Sequence, residues 1–169
     1  MLLRVKTPQA CRCAATELSI FFASPARYAS EDAIFNIKEV DVGLAADLGT
    51  LQRLPKMCGN DSILRELAYT ARNFSAAEAA SFGMVSKVLP NREDAVAAAV
   101  ETAALIASKS PVAVTCTKAT LNYARDHSVA DGLAQVLALN SAMLQTADIG
   151  VILKAAQEKN PNPDFPDLL

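Results

Sequence analysis

The chain has 169 residues, a net charge of −2 and a composition that is 51% hydrophobic but only 5% aromatic, with no Trp. That length suits one domain with a real core, and the alanine-rich, aromatic-poor balance favours packed helices over an aromatic-rich sandwich. The absence of a basic surplus speaks against nucleic acid, one histidine excludes a multi-histidine metal centre, and no apolar run reaches the roughly 18 residues of a membrane span.

Residues 1–25 show no clean period and end at Ser24-Pro25. Before Glu17 they carry Arg4, Lys6 and Arg12 and no acid. Mitochondrial transit peptides share that composition, and so does an arbitrary chain start; both readings stay open. The next run, Ala33 to Ile37, is short and apolar and suits a strand, broken at Gly43. Leu48, Leu51 and Leu54 recur at helical spacing until Pro55, with Asp47 at or just before the start. Asn60-Asp61-Ser62 offers caps for a helix through Ile63, Leu64, Leu67 and Ala68. Ser75 to Glu78 has the capping-box form, and the short helix it opens ends by Gly83. Met84 to Leu89 reads as a strand closed by Pro90.

Helices follow to the end of the chain. Their expected spans are Asp94 to Ser108, Ser110-Pro111 to about Tyr123, Ser128 to Gln145, and Ala147 to about Glu158. The tail from Asn160 holds three prolines and is expected to be irregular. Four cysteines (Cys11, Cys13, Cys58, Cys116) fit no zinc spacing and read as reduced thiols. No dinucleotide, phosphate-loop or nucleophile-elbow motif is present. Lys118 reads as a solvated side chain, and Arg125 to Ser128 as a helix junction with a serine cap.

The chemistry concentrates in Lys38-Glu39-Val40-Asp41-Val42-Gly43-Leu44-Ala45-Ala46-Asp47, three acids in an apolar stretch. A turn through Gly43 can bring Glu39 and Asp47 to two sides of one pocket, while alternation turns Asp41 away. Apolar neighbours desolvate a carboxylate and raise its pKa toward the range useful for proton transfer. Acids near turns and helix starts are also common for purely structural reasons.

The stretch Glu39 to Pro55 closely resembles the Δ3,5-Δ2,4-dienoyl-CoA isomerases of the crotonase (enoyl-CoA hydratase/isomerase) superfamily. The likeness continues through Glu66 to Arg72, Ser108 to Val114, Tyr123 to Ala130 and Met143 to Thr146, and spans about residues 26–158. Aspartate at position 47, where hydratases usually carry glycine, points to the dienoyl isomerases. The resemblance implies an α/β fold: part of a ClpP/crotonase spiral core, then a helical C-terminal oligomerisation region, mostly helical in this chain. It divides the chain into a divergent leader (1–25), the C-terminal part of the core (26–110), and a trimerisation region with tail (111–169).

The resemblance further implies that Glu39 and Asp47 shuttle a proton along a conjugated acyl chain. It implies an acyl-CoA thioester as substrate, with CoA part of that substrate, and no metal or separate cofactor. The expected partners are copies of the chain in a trimer or hexamer, with Leu133, Val136, Leu137 and Met143 available for that interface, and neither nucleic acid nor membrane. Family members also carry an upstream half that grips CoA and supplies an oxyanion hole, which residues 1–25 do not resemble. The alternatives are an enoyl-CoA hydratase, a Δ3-Δ2-enoyl-CoA isomerase, or a catalytically silent oligomerisation subunit. The basic start, with a C-terminus unlike a Ser-Lys-Leu signal, favours the mitochondrion over the peroxisome.

Overall fold

The computed structural model describes the backbone of residues 3–6 and residues 21–166 in full. The chain forms two compact units, residues 1–103 and 104–169.

In the first unit a parallel three-stranded sheet has the order β1-β2-β5, with β1 Leu3–Lys6, β2 Ala26–Ser30 and β5 Lys87–Leu89. The register pairs Val5 with Tyr28, and Tyr28 with Lys87. A smaller antiparallel pair joins β3 (Ile34–Phe35) to β4 (Phe74–Ser75). The sheet therefore reaches into residues set apart above as a leader, and Phe21 and Phe22 belong to the core. The strand expected from Met84 begins only at Lys87: Met84 N–H turns back to Ala79 O (2.9 Å), while Ser86 N–H already reaches β2 at Arg27 O (2.9 Å). Arg27 adds a stitch of its own, its Nε donating to Met84 O at 2.6 Å and its Nη1 to Ser24 O at 2.9 Å.

Short helices complete this unit: α1 Thr50–Arg53, continued by a 3-10 turn Leu54–Lys56, then α2 Asp61–Thr70 and α3 Ala76–Ser81. The caps are those the sequence offers. Asn60 accepts from Ile63 N–H at 3.2 Å and Ser75 from Glu78 N–H at 3.1 Å. The reciprocal arm of the capping box takes another partner: Glu78 pairs with Arg72 through both carboxylate oxygens (2.5 and 3.1 Å), and Arg72 Nε also reaches Glu66 at 2.8 Å. Arg72 thus spans the gap between α2 and α3 and holds the Glu78 carboxyl below the usual range. Phenylalanines dominate the core. Phe21, Phe35, Phe74 and Phe82 form a chain of ring contacts with centroids 5.5–5.9 Å apart, closed over by Leu64, Leu67 and Met84. Helix α4 (Arg92–Ala107) buries Ala95 and Ala99, and Thr102 one turn further bonds the Tyr28 hydroxyl on β2 at 2.8 Å. Cys58, half-buried, has its thiol pushed up to about 11 by burial.

The second unit is helical, with α5 Pro111–Tyr123, α6 Val129–Met143 and α7 Ala147–Glu158. Helices α5 and α6 pack as a hairpin. Ser128 caps α6, accepting from Asp131 N–H at 3.2 Å and donating to the Asp131 carboxylate at 2.6 Å, which lowers that carboxyl's pKa. His127 lies flat on Tyr123 and its Nδ1 donates to the Tyr123 carbonyl at 2.8 Å, so the expected junction is locked by its own residues. Ser110 caps α5, accepting from Ala113 N–H at 3.0 Å, and its hydroxyl donates to Asp148, buried in the first turn of α7. Leu133 and Leu137 stand 64% and 69% exposed on α6, whereas Val136 and Met143 are partly covered against α5. Lys118 is exposed on α5, as expected.

Candidate functional site

Both candidate acids lie on one excursion of the first unit, between β3 and α1. Glu39 opens a 3-10 turn, Glu39–Val42, which has no side-chain cap. Gly43 closes it in the left-handed region (φ +76°): its N–H donates to Val40 O at 3.2 Å, and Leu44 N–H donates to Glu39 O at 3.0 Å. The turn places Glu39 at its start and sends Asp41 outward. Asp41 pairs there with Lys38 at 3.2 Å, both side chains about half exposed, as alternation predicted.

Asp47 follows the buried Ala46 and precedes a second left-handed glycine, Gly49 (φ +93°). Here a side chain is disfavoured on two counts. The conformation is costly for an L-residue, and a Cβ at this site would fall 2.1 Å from Arg53 Nη1. That guanidinium folds back to donate to Leu48 O at 3.1 Å, fixing the turn from Asp47 into α1. The expected helix start at Leu48 is thereby delayed to Thr50, which is buried.

Glu39 is half-buried and Asp47 exposed. The burial expected from apolar neighbours does not reach Asp47 in this chain: Val42 and Leu44 are themselves 73% and 64% exposed. Val40 and Leu48 are also partly exposed, at 43% and 46%, so both acids are bordered by apolar side chains open to solvent. Close by, Asn36 Nδ2 donates to Asn73 Oδ1 at 3.1 Å, pinning the end of β3 three residues before Glu39. Among the described residues Asn36 Oδ1 is buried without a partner, a feature invisible in the sequence. Among the described residues no group of acids, cysteines and histidine is arranged to hold a metal ion, and no single helix is long and apolar enough to cross a membrane.

The crossed parallel strands, the acid-bearing loop and the helical second unit define a class: over residues 13–166 the chain matches, and belongs to, the enoyl-CoA hydratase/isomerase family, the crotonase superfamily. The match starts inside the segment set apart above as a leader. The chain is 51% identical over 146 residues to the human mitochondrial Δ(3,5)-Δ(2,4)-dienoyl-CoA isomerase, covering 86% of this chain and 44% of the relative. It is 44% identical to the peroxisomal protein of that name from Arabidopsis thaliana, covering 92% and 55%. Among solved structures it superimposes on enoyl-CoA hydratase EchA1 from Mycobacterium marinum with a TM-score of 0.78 and 33% identity, covering 85% of this chain and 56% of that one. The chain thus spans about half the length of the curated relatives it matches. The fold expected from the sequence, a partial crotonase-like α/β core with a mostly helical remainder, is the one observed.

Proposed function

We propose that this chain carries the acid–base half of a dienoyl-CoA isomerase, which converts a 3,5-dienoyl-CoA to the 2,4-dienoyl-CoA. A carboxylate removes a proton from C2, acidified by the thioester carbonyl. The electron pair delocalises over C2 to C6 as a dienolate, and a carboxylic acid returns a proton at C6. The double bonds move from C3 and C5 to C2 and C4, with no change in oxidation state. Glu39 and Asp47 are the two proton carriers, CoA is part of the substrate, and no separate cofactor takes part.

The observation that supports this reading is that Glu39 and Asp47 lie on one excursion between β3 and α1, turned at Gly43 and Gly49, in a chain about half identical to relatives named for this reaction. Exposed apolar side chains beside both acids support it, since they offer a surface to an acyl chain. Burial of Asp47 does not contribute. The experiment is turnover of 3,5-dienoyl-CoA followed by the ultraviolet absorbance of the conjugated product. Loss in both Glu39→Gln and Asp47→Asn, with the fold intact, supports the proposal; turnover that survives either change refutes it.

A second reading, a silent subunit that only assembles with copies of itself, is favoured by the exposed Leu133 and Leu137 on α6. It predicts oligomers, the expected trimer or hexamer, without turnover of either dienoyl- or enoyl-CoA. A mitochondrial setting is supported by the names of the mammalian relatives, the plant relative being peroxisomal.

A further inference from the structure

The two acids take their places from the backbone, and by different means. Glu39 opens a turn closed by three main-chain bonds: Asp41 N–H to Lys38 O (3.0 Å), Gly43 N–H to Val40 O (3.2 Å) and Leu44 N–H to Glu39 O (3.0 Å). No side chain is needed for any of them.

Asp47 is held differently. Its own side chain is exposed, so surrounding groups do not enclose the carboxylate. On one side the chain is anchored by Ala46, which is buried. On the other, Arg53 grips two successive carbonyls: its backbone N–H donates to Gly49 O at 3.1 Å, and its guanidinium Nη1 to Leu48 O at 3.1 Å. The guanidinium lies against the bare Cα of Gly49, where a Cβ would stand 2.1 Å from Nη1, 2.8 Å from Cζ and 3.3 Å from Nη2. The bond to Gly49 O is a main-chain bond and outlasts any change of side chain at position 53. The guanidinium bond orients the Leu48–Gly49 peptide, one residue beyond Asp47.

We propose that Arg53 is a positioning residue for Asp47, fixing the Leu48–Gly49 peptide and through it the placement of the carboxylate. This rests on the isomerase reading and divides the two acids by what holds them. A misplacement of about 1 Å costs on the order of a hundredfold in rate. Lysine is a poor substitute, because a compact ammonium is a point charge rather than a plane that lies flat on a glycine. Since the Glu39 turn has its own main-chain bonds, the loss falls on one of the two proton transfers.

Isotope exchange separates those transfers. In deuterium oxide the carboxylate serving C2 removes a proton from the 3,5-dienoyl-CoA, exchanges it with solvent and returns a deuteron to C2. The carboxylate serving C6 does the same on the 2,4-dienoyl-CoA. Each removal leaves the dienolate and each return restores the starting thioester, so exchange at either end needs only one acid. Arg53→Met keeps the length of the side chain and removes its donors. It is expected to lower kcat at least tenfold, with KM within about twofold of the wild type. It should slow exchange at the end that Asp47→Asn abolishes, and leave the end that Glu39→Gln abolishes near its wild-type rate. Gly49→Ala displaces the same guanidinium, so it should slow the same end, and Arg53→Met added to it should bring no further loss. Arg53→Lys, with one donor left, should lose less than Arg53→Met. Equal slowing of both ends in Arg53→Met overturns the proposal and leaves Arg53 a structural residue of the loop; unchanged exchange at both ends overturns it too. In either case the isomerase reading stands. If the wild-type chain neither exchanges nor isomerises either thioester, that reading falls and the role of Arg53 with it.

Discussion

Gly49 is the position where a single methyl group tests the geometry of the acid-bearing loop. In Gly49→Ala the backbone stays at φ +93°, which costs an L-residue about 1–2 kcal/mol. The new Cβ also occupies the place of Arg53 Nη1, 2.1 Å away, so the guanidinium must leave and its bond to Leu48 O is lost, about 1 kcal/mol more. The sum, about 2–3 kcal/mol, lowers the melting temperature by roughly 4–12 °C for a chain of this size. Arg53→Ala alone forfeits only the bond, about 1 kcal/mol. In the double variant Arg53 has nothing left to lose, so its removal adds nothing and the two changes couple by about 1 kcal/mol. Thermal or denaturant unfolding of the four proteins measures this directly. Strict additivity, with Arg53→Ala costing the same in both backgrounds, would refute the close approach and with it the account of how the turn after Asp47 is held.

Other outcomes follow from the bonds described above. Arg72 holds the Glu78 carboxyl below its ordinary range, so their pairing contributes stability above about pH 4.5, the unfolded carboxyl's range, and that contribution fades as pH falls through the lower, folded value. Arg72→Ala therefore lowers the melting temperature at pH 7 and has little effect near pH 2, and a pH-independent loss would contradict the pairing. Ser110→Ala removes a helix cap and the donor to buried Asp148 together, which costs about 1–3 kcal/mol in denaturant unfolding. Cys58, with its thiol near 11, is about one part in a thousand thiolate at pH 8. Its alkylation, followed by mass spectrometry of its peptide, should be slow there and accelerate steeply toward pH 11.

Local signals were the legible ones. Asn60, Ser75, Ser110 and Ser128 each cap the helix the sequence assigns to them, because a cap is settled within three residues. Thr146, by contrast, precedes α7 without a side-chain cap bond. What depends on distant partners was less legible. Strand β2 contains Arg27 and Ser30 and shows no alternation, since it lies between two parallel neighbours rather than against solvent. The Ser75 box kept only half its bonds because Arg72 competes for Glu78 as a charged donor. Glu39 and Asp47 came from motif and resemblance together, and their unequal exposure was hidden because it depends on how the loop is folded rather than on the polarity of their neighbours.

The shared hydroxyl of Ser110 carries a consequence for the order of assembly. The α5–α6 hairpin closes across a short junction, whereas the Ser110–Asp148 bond joins residues 38 apart in the chain. Closing that longer span costs entropy before the bond returns anything. The last helix therefore gains its buried anchor only after the hairpin has shortened the intervening chain, and in refolding its protection against hydrogen exchange should lag behind that of α5 and α6.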